Sequence, residues 1–562
     1  MLQLLLAQLV VPPTQRGPIR LPQTGTTQGE VLVDDTSNIK TRIEIGEEEK
    51  RIINSNIKED DKPYVIEGLS IYSAVKTDKL LNKCKRFQHI DSHKRALFCL
   101  NLVQNELKRE GYITTVVTLE KRKDQTIFHV KEGRIAQVVI RGEESSLRLR
   151  KRIEDKTKFI LGEILHIPTL QRNLRLLKLE AGVNSVDAKL SLLKEKPELA
   201  KLEITITEGD EPWRGRISLS NSGNNGSGEL SFNSSFLKKN AIVNGDMFFL
   251  FGESSGTPNP KLGGLNGSLS YTLPISERLY LTASAGYNKK KFIELSKAEN
   301  GLSNVQIQAS GQLEWIIKED LTQRHSLFIN LVNSKSNLYL RKKSLPKEFF
   351  PDIVREPMSG YLKYGLNSTV IHNQTSLNGS VFLINGIAAM TPKAQRQELN
   401  KISIDAGQAK AIGGLISVNW VVAQNLKLKI LSGGQWAFNN LSPIMQFSLG
   451  SDIGLRGLPS QLTSGDSGWL TTLETPFTIW RNKKSFLEFV PFFGGGGVYT
   501  TIAKGHKNDD VGTAGIFLRW MDGAQWIVEL GWVDSIETKD NQGSWQQWSL
   551  ADGLYAQASF RF

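Results

Sequence analysis

From Trp213 to the C-terminal Phe562 the chain alternates apolar and polar side chains in one short segment after another, and this period of two is its strongest constraint. Leu279-Tyr280-Leu281-Thr282-Ala283-Ser284-Ala285-Gly286-Tyr287 is one such segment, and residues 305–315 form another. No run of eighteen apolar residues occurs anywhere, and with 23% charged against 39% apolar residues a bundle of membrane-spanning helices is excluded. The same lack of any long core-like apolar run disfavours a soluble β-sandwich. Alternation suits strands with lipid on one face only, and such strands must close on themselves, because an open edge in lipid leaves backbone groups unpaired. At roughly ten residues per strand plus turns and some long loops, the span fits about sixteen antiparallel strands. The 49 glycines, the tryptophans concentrated in the second half and the mere 2 cysteines match an outer-membrane β-barrel. The last ten residues form an amphipathic strand, with Leu554, Ala556, Ala558, Phe560 and Phe562 on one face and Tyr555, Gln557, Ser559 and Arg561 on the other.

The first half reads differently. Residues 1–11 are an apolar stub without a basic start, read as the end of a signal peptide. Residues 12–62 read as an extended linker; whether residues 41–56 form a plug helix stays open, because their apolar spacing is weak. A strand at 64–71, helices near 78–85 and over 92–110, and strands at 113–119 and 126–131 then give the order βααββ. A strand at 138–142, helices over 147–154 and 169–180, and strands at 183–193 and 199–207 repeat it. Two copies of roughly 75 residues predict two small α/β domains, 63–135 and 136–211, ahead of a barrel at 212–562. Residues 76–178 hold 24 Lys and Arg against 12 Asp and Glu, nearly the whole excess behind the net charge of +13. That surface suits an acidic or polar unfolded chain or a leaflet surface, the bland alternative being a solvated face.

One loop within the second half stands out. In residues 447–476, Gly450 and Gly454 precede Arg456, and Gly457, Gly465 and Gly468 follow it, so the backbone can double back and present Arg456 at a tip. The alternating residues 469–474 read as the strand leaving that tip. On the tip alone, a surface turn with an incidental arginine is the commoner reading. No phosphate-binding loop, nucleophile elbow or HExxH occurs, and His89 with His93 reads as two solvated histidines at a helix start. Nothing points to an enzyme, a metal or a cofactor, and aromatics are too sparse among the basic residues for nucleic acid.

Three signatures together resemble one family. Gly111-Tyr112-Ile113-Thr114-Thr115, then Val130-Lys131-Glu132-Gly133-Arg134-Ile135, resemble the polypeptide-transport-associated (POTRA) domain of two-partner secretion outer-membrane transporters, the hemolysin secretion and activation family. Leu455-Arg456-Gly457-Leu458, with Gly465, Asp466, Gly468 and Glu474 downstream, resembles that family's loop motif, and the terminal Phe562 its barrel sorting signal. The resemblance covers residues 63–562 and implies two periplasmic POTRA domains and an outer-membrane pore, monomeric and embedded in lipid. It further implies that the pore passes an unfolded partner exoprotein, hemolysin- or adhesin-like, outward without ATP, and that barrel-assembly machinery inserts the barrel. The alternatives are a barrel-assembly factor of the same superfamily, which usually has more POTRA repeats, and a passive porin, which needs none. The family tip usually reads Val-Arg-Gly-Tyr, where this chain has leucines at 455 and 458. The family's usual aspartate partner is replaced by Gly494, which leaves Glu474 or Glu488 to pair with Arg456. In an oxidising periplasm Cys84 and Cys99, in or near the helices of the first repeat, can form a disulfide, the alternative being a buried reduced pair.

Overall fold

The computed structural model describes residues 43–45, 64–67 and 92–562, the last span with short breaks, the longest at 143–146, 178–182, 209–212, 295–300 and 538–543. The chain divides into two units, Thr36–Glu211 and Pro212–Phe562. Residues 1–11, the expected helix near 78–85, His89 and Cys84 lie outside the described residues; Cys99 is buried. Within the expected linker, residues 43–45 form a short strand.

The N-terminal unit contains two α/β modules. In the first, β2 (Tyr64–Glu67) runs parallel to β4 (Gln125–Lys131), which pairs antiparallel with β3 (Val116–Arg122). Helix α1 (Ser92–Arg109) turns Cys99, Val103 and Leu107, spaced by four, onto Val117, Phe128 and Val130. The helix stops at Gly111, whose φ of +104° lets Tyr112 N–H reach Leu107 O at 2.9 Å and Gly111 N–H reach Lys108 O at 3.0 Å, a Schellman closure. The strand expected from Ile113 begins only at Val116, because residues 112–115 are spent on a turn whose Thr115 hydroxyl accepts Gly133 N–H.

The second module runs β5 (Arg134–Arg141), α2 (Leu147–Thr157), α3 (Ile167–Leu177), β6 (Val183–Leu193) and β7 (Lys196–Glu208), the expected βααββ order. Its sheet has the order β1-β6-β7-β5, because β1 (Ile43–Ile45) adds itself parallel to the edge of β6. Helix α3 starts two residues earlier than its periodicity suggests, with Pro168 in its first turn, where a missing N–H costs nothing. Ile153, Leu165, Leu174, Leu202 and Ile204 have no exposed surface, and each such burial stabilises the module by about 1.5–3 kcal/mol.

The C-terminal unit is a closed barrel. Its strands are β8 (Arg214–Ser220), β9 (Leu230–Lys239), β10 (Met247–Gly256), β11 (Leu262–Pro274), β12 (Leu279–Lys291), β13 (Leu302–Glu319), β14 (Gln323–Leu340) and the stub β15 (Lys343–Ser344). They continue with β16 (Met358–His372), β17 (Thr375–Gly386), β18 (Lys410–Ala423) and β19 (Leu426–Ala437), then, past the inserted β20 (Phe447–Leu449) and β21 (Thr463–Gly465), with β22 (Ser467–Glu474) and β23 (Phe477–Arg481). The last four are β24 (Ser485–Ile502), β25 (Gly505–Asp522), β26 (Trp526–Glu537) and β27 (Leu554–Arg561). Since β15 only folds back on β14, and β23 resumes β22 after Pro476, the wall has the sixteen strands its length predicts. No helix among the described residues is long and apolar enough to cross a membrane.

Alternation sets the two faces. On β13, Ile307, Leu313 and Trp315 are exposed outward, while Gln306, Gln308 and Glu314 are buried inward. Exposed aromatics cluster near both rims: Trp213, Trp315, Trp420, Trp520 and Trp526 toward the end where β8 begins, Trp436, Trp469 and Tyr499 toward the other. On β24 the exposed Phe489 and Tyr499 lie ten residues apart, about 33 Å along a strand and about 25 Å in height at ordinary barrel tilt, the thickness of a hydrocarbon band. Closure joins β27 to β8, from Gln557 opposite Ser220 to Arg561 opposite Arg216. The terminal residue completes this seam: Gly215 N–H donates to Phe562 O at 2.9 Å and Phe562 N–H to Gly215 O at 3.0 Å. A Cβ on Gly215 would lie 2.2 Å from the Phe562 ring, so a larger residue there must displace that ring.

Candidate functional site

Between β19 and β22 the chain leaves the wall for the 438–466 loop. Strands β20 and β21 pair antiparallel as the loop's stalk, and the tip beyond them turns on two glycines in left-handed backbone. Gly454 has φ +113° and Gly457 φ +81°; a Cβ on Gly457 would lie 2.0 Å from Val533 Cγ1. Both conformation and space therefore require glycine at 457. The flanking Leu455 and Leu458 have no exposed surface and join Phe492, Phe517, Val533, Trp545 and Trp548 in an apolar core. Asp466 secures the stalk, accepting Leu441 N–H at 3.1 Å and the Gln446 amide at 3.0 Å. Gly465 and Gly468 permit close approach: a Cβ on the first would meet Tyr499 backbone at 2.9 Å, and one on the second the Phe447 ring at 2.5 Å.

So anchored, Arg456 reaches three acceptors on the wall. Its Nε donates to Glu474 Oε1 at 2.5 Å, and its Nη1 donates to Glu529 Oε2 at 2.9 Å and to the Tyr555 hydroxyl at 2.7 Å. Its guanidinium lies 4.8 Å from the Phe517 ring centre. A second arginine holds the same carboxylates. Arg519 Nε donates to Glu529 Oε1 at 2.7 Å, Nη2 to Glu474 Oε2 at 3.4 Å and Nη1 to Glu488 Oε2 at 3.3 Å. Glu474 and Glu529 thus each give one oxygen to each guanidinium. Lys427 Nζ lies 3.4 Å from Glu488 Oε1, and Lys429 stands opposite Glu474 in the strand register. Each of the three carboxylates thus has more than one positive partner. That compensation matters because the side chains of Glu488, Glu529 and Arg519 are only 1%, 5% and 7% exposed.

The two acids suggested for Arg456 have different places. Glu474 contacts it directly, whereas Glu488 engages Arg519 and Lys427. Glu529 and Arg519 are absent from the sequence reading, and Tyr555 enters it only as a residue of the terminal strand, although a faint signal exists. Arg519 and Glu529 are charges on the inward phase of their strands, and the register sets Glu488, Arg519 and Glu529 side by side across β24, β25 and β26. Gly494 also has its explanation. A Cβ there would lie 3.2 Å from Leu455 Cδ2 and 3.1 Å from Thr513 Oγ1, so Leu455 occupies the space of a larger side chain.

The module signature residues cluster elsewhere, at the junction of the two α/β modules. Leu165 N–H donates to Gly133 O at 2.8 Å, Ile167 N–H to Gly111 O at 3.0 Å, and Arg134 Nη1 to Gly162 O at 2.9 Å. Tyr112 stacks on His166 at 4.6 Å, and Glu132 pairs with Arg134 at 3.4 Å. A Cβ on Gly133 would lie 1.9 Å from Thr114 Oγ1, and one on Gly111 2.6 Å from Pro168 Cδ. Phe562 closes the barrel seam, its ring 5.9 Å from that of Phe236.

Comparison with known proteins adds the following. The family model "Haemolysin secretion/activation protein ShlB/FhaC/HecB" matches residues 199–515, more than half of the chain. No curated protein sequence matches. Among solved structures, CdiB from Escherichia coli is 15% identical, with 100% of this chain and 97% of that one covered at a TM-score of 0.57. CdiB from Acinetobacter baumannii is 16% identical, with 94% and 95% covered at a TM-score of 0.52. These structural likenesses are likenesses of fold.

Proposed function

The chain belongs to the haemolysin secretion/activation protein (ShlB/FhaC/HecB) family, and on that premise we propose how its parts divide the work of moving a protein across a membrane. It is an outer-membrane transporter of two-partner secretion, with POTRA modules in the periplasm and a secreted exoprotein as its partner. The POTRA pair is the receptor. An unfolded segment of the exoprotein adds a strand to an exposed sheet edge, where backbone hydrogen bonds give affinity with little demand on sequence. Strand β3 is an outer strand of the first sheet, and the edge of β6 already accepts the extended residues Ile43–Ile45. The basic excess of residues 76–178 favours acidic or polar segments.

The arginine loop braces the wall and obstructs the lumen until the partner arrives. What carries this reading is the grip of Glu474 and Glu529 on Arg456, which ties a loop tip to two distant strands through buried charge. The chain acts as a pore and not as an enzyme, works as a monomer in outer-membrane lipid, and reaches that membrane through barrel-assembly machinery that reads the Phe562 end. Family membership favours secretion over the barrel-assembly alternative. A cell lacking this chain should retain in its periplasm the large β-helical exoprotein encoded beside it, and re-expression should restore export. Undiminished export without the chain overturns the assignment.

A further inference from the structure

The outward face of the barrel changes character near one sector of its outer rim. On β12 the outward phase runs Leu281, Ala283, Ala285 and Tyr287, then turns to Lys289 and Lys291. On β14 it runs Leu327, Ile329 and Leu331, all exposed, then Asn333 and Lys335. The register makes the two stripes neighbours, because Lys289 lies opposite Val305 and Lys335 opposite Ile307 on the intervening β13. On β12 and β14 the cations therefore begin two to four residues beyond Tyr287 and Leu331, about 7–14 Å along the strand, with the apolar Val305 and Ile307 of β13 between them, at the height where lipid head groups meet the hydrocarbon. The side chain of Lys335 is 52% exposed, and its nearest acid, Glu356, stands 3.9 Å away and is shared with Arg355 at 3.1 Å.

A second observation concerns the hairpin that ends β14. Arg341 and Lys342 form its two-residue turn with φ of +50° and +68°, both left-handed, where Asn-Gly is the relaxed choice. Long side chains in that backbone are strained, and such strain gathers where the side-chain chemistry is in use. Lys343 follows, and all three are exposed. The sector is not a sample of the whole rim: at comparable positions the outward phase of β25 and β26 carries Asp510 and Asp534 instead.

We propose that this sector, built from Lys289, Lys291, Lys335, Arg341, Lys342 and Lys343, is a binding site for the phosphate groups of the outer-leaflet glycolipid. The occupant is a lipid because the cations of β12 and β14 continue the surface that faces hydrocarbon, and the exposed Ile307 of β13 between them keeps apolar surface within the sector. A ligand seated there must have acyl chains below and anionic groups above. Lys290 is not part of the site, since it points inward and is buried.

The test uses the full-length protein purified in neutral detergent, with bis-phosphorylated lipid A, dephosphorylated lipid A and phosphatidylethanolamine as probes. The bis-phosphorylated probe should bind about tenfold tighter than the other two, with the preference falling as salt rises. Changing Lys289, Lys291 and Lys335 together to Gln should abolish the preference, whereas Asp510→Asn with Asp534→Asn should keep it. Arg341→Asn with Lys342→Gly installs the relaxed turn sequence, so it should fold at least as well and yet weaken the preference, which separates lost binding from lost folding. Equal binding of all three probes, a preference retained by the lysine variant, or capture of an acidic peptide in place of the lipid would each overturn the proposal.

Discussion

Arg456 shares its carboxylates with Arg519, and that sharing decides what each substitution should do. When Arg456 becomes Ala, Glu474 and Glu529 keep Arg519, with Lys427 beside Glu488 and Lys429 opposite Glu474, so the wall keeps three cations for its three acids and only the tip loses its hold. The barrel should therefore remain heat-modifiable in the outer membrane while export falls sharply and pore conductance changes. Arg456→Lys should rescue poorly, because an ammonium cannot serve Glu474, Glu529 and Tyr555 with the planar fork that reaches all three. Arg519→Ala is the harsher change, leaving Glu488 with Lys427 alone; removing one partner of a buried pair costs about 3–5 kcal/mol, and the barrel itself should melt at lower temperature. Normal export by both Arg456 variants would return that residue to an incidental turn arginine worth less than about 1 kcal/mol.

At the scale of elements, what the sequence discloses depends on whether its signal is local. The second βααββ repeat and the described part of the first are legible because their helices and strands write their periods into consecutive residues, and the arginine tip is legible because left-handed turns need glycine. Strand β1 is not legible: Ile43–Ile45 is three residues long, and it exists because an edge of β6 is there to receive it. Nor is the contact between Arg519 and Glu529, which register alone creates across two strands. The signature glycines fall between these cases. Their sequence pattern is plain, but their reason is the packing of Gly133 against Thr114 and of Gly111 against Pro168. Gly133→Val should therefore disturb the junction of the POTRA modules without touching the barrel. Export should fall while the heat-modifiable fraction stays at wild-type level; unimpaired export would mean that the two modules need not be held together.

For the whole molecule the question is whether the C-terminal Phe562 serves assembly, the finished barrel, or both, and the seam lets the two be separated. In the folded barrel Phe562 contributes two backbone hydrogen bonds to Gly215, each worth about 1 kcal/mol net, and a ring packed over that glycine. Deleting Phe562 removes these few interactions from a wall of sixteen strands, so a barrel refolded from denaturant into detergent should close and melt only a few degrees lower. If barrel-assembly machinery reads the terminal residue, the same deletion should cut the amount reaching the outer membrane in cells far more than it weakens the refolded protein. Gly215→Val reverses the pattern. It leaves the terminal strand and its two backbone hydrogen bonds in place but displaces the Phe562 ring from the glycine it packs on, so delivery should proceed at the wild-type level while the refolded barrel melts slightly lower. Parallel measurement of outer-membrane level and melting temperature for the two variants distinguishes the roles. Equal losses on both scales would make Phe562 a seam residue and nothing more.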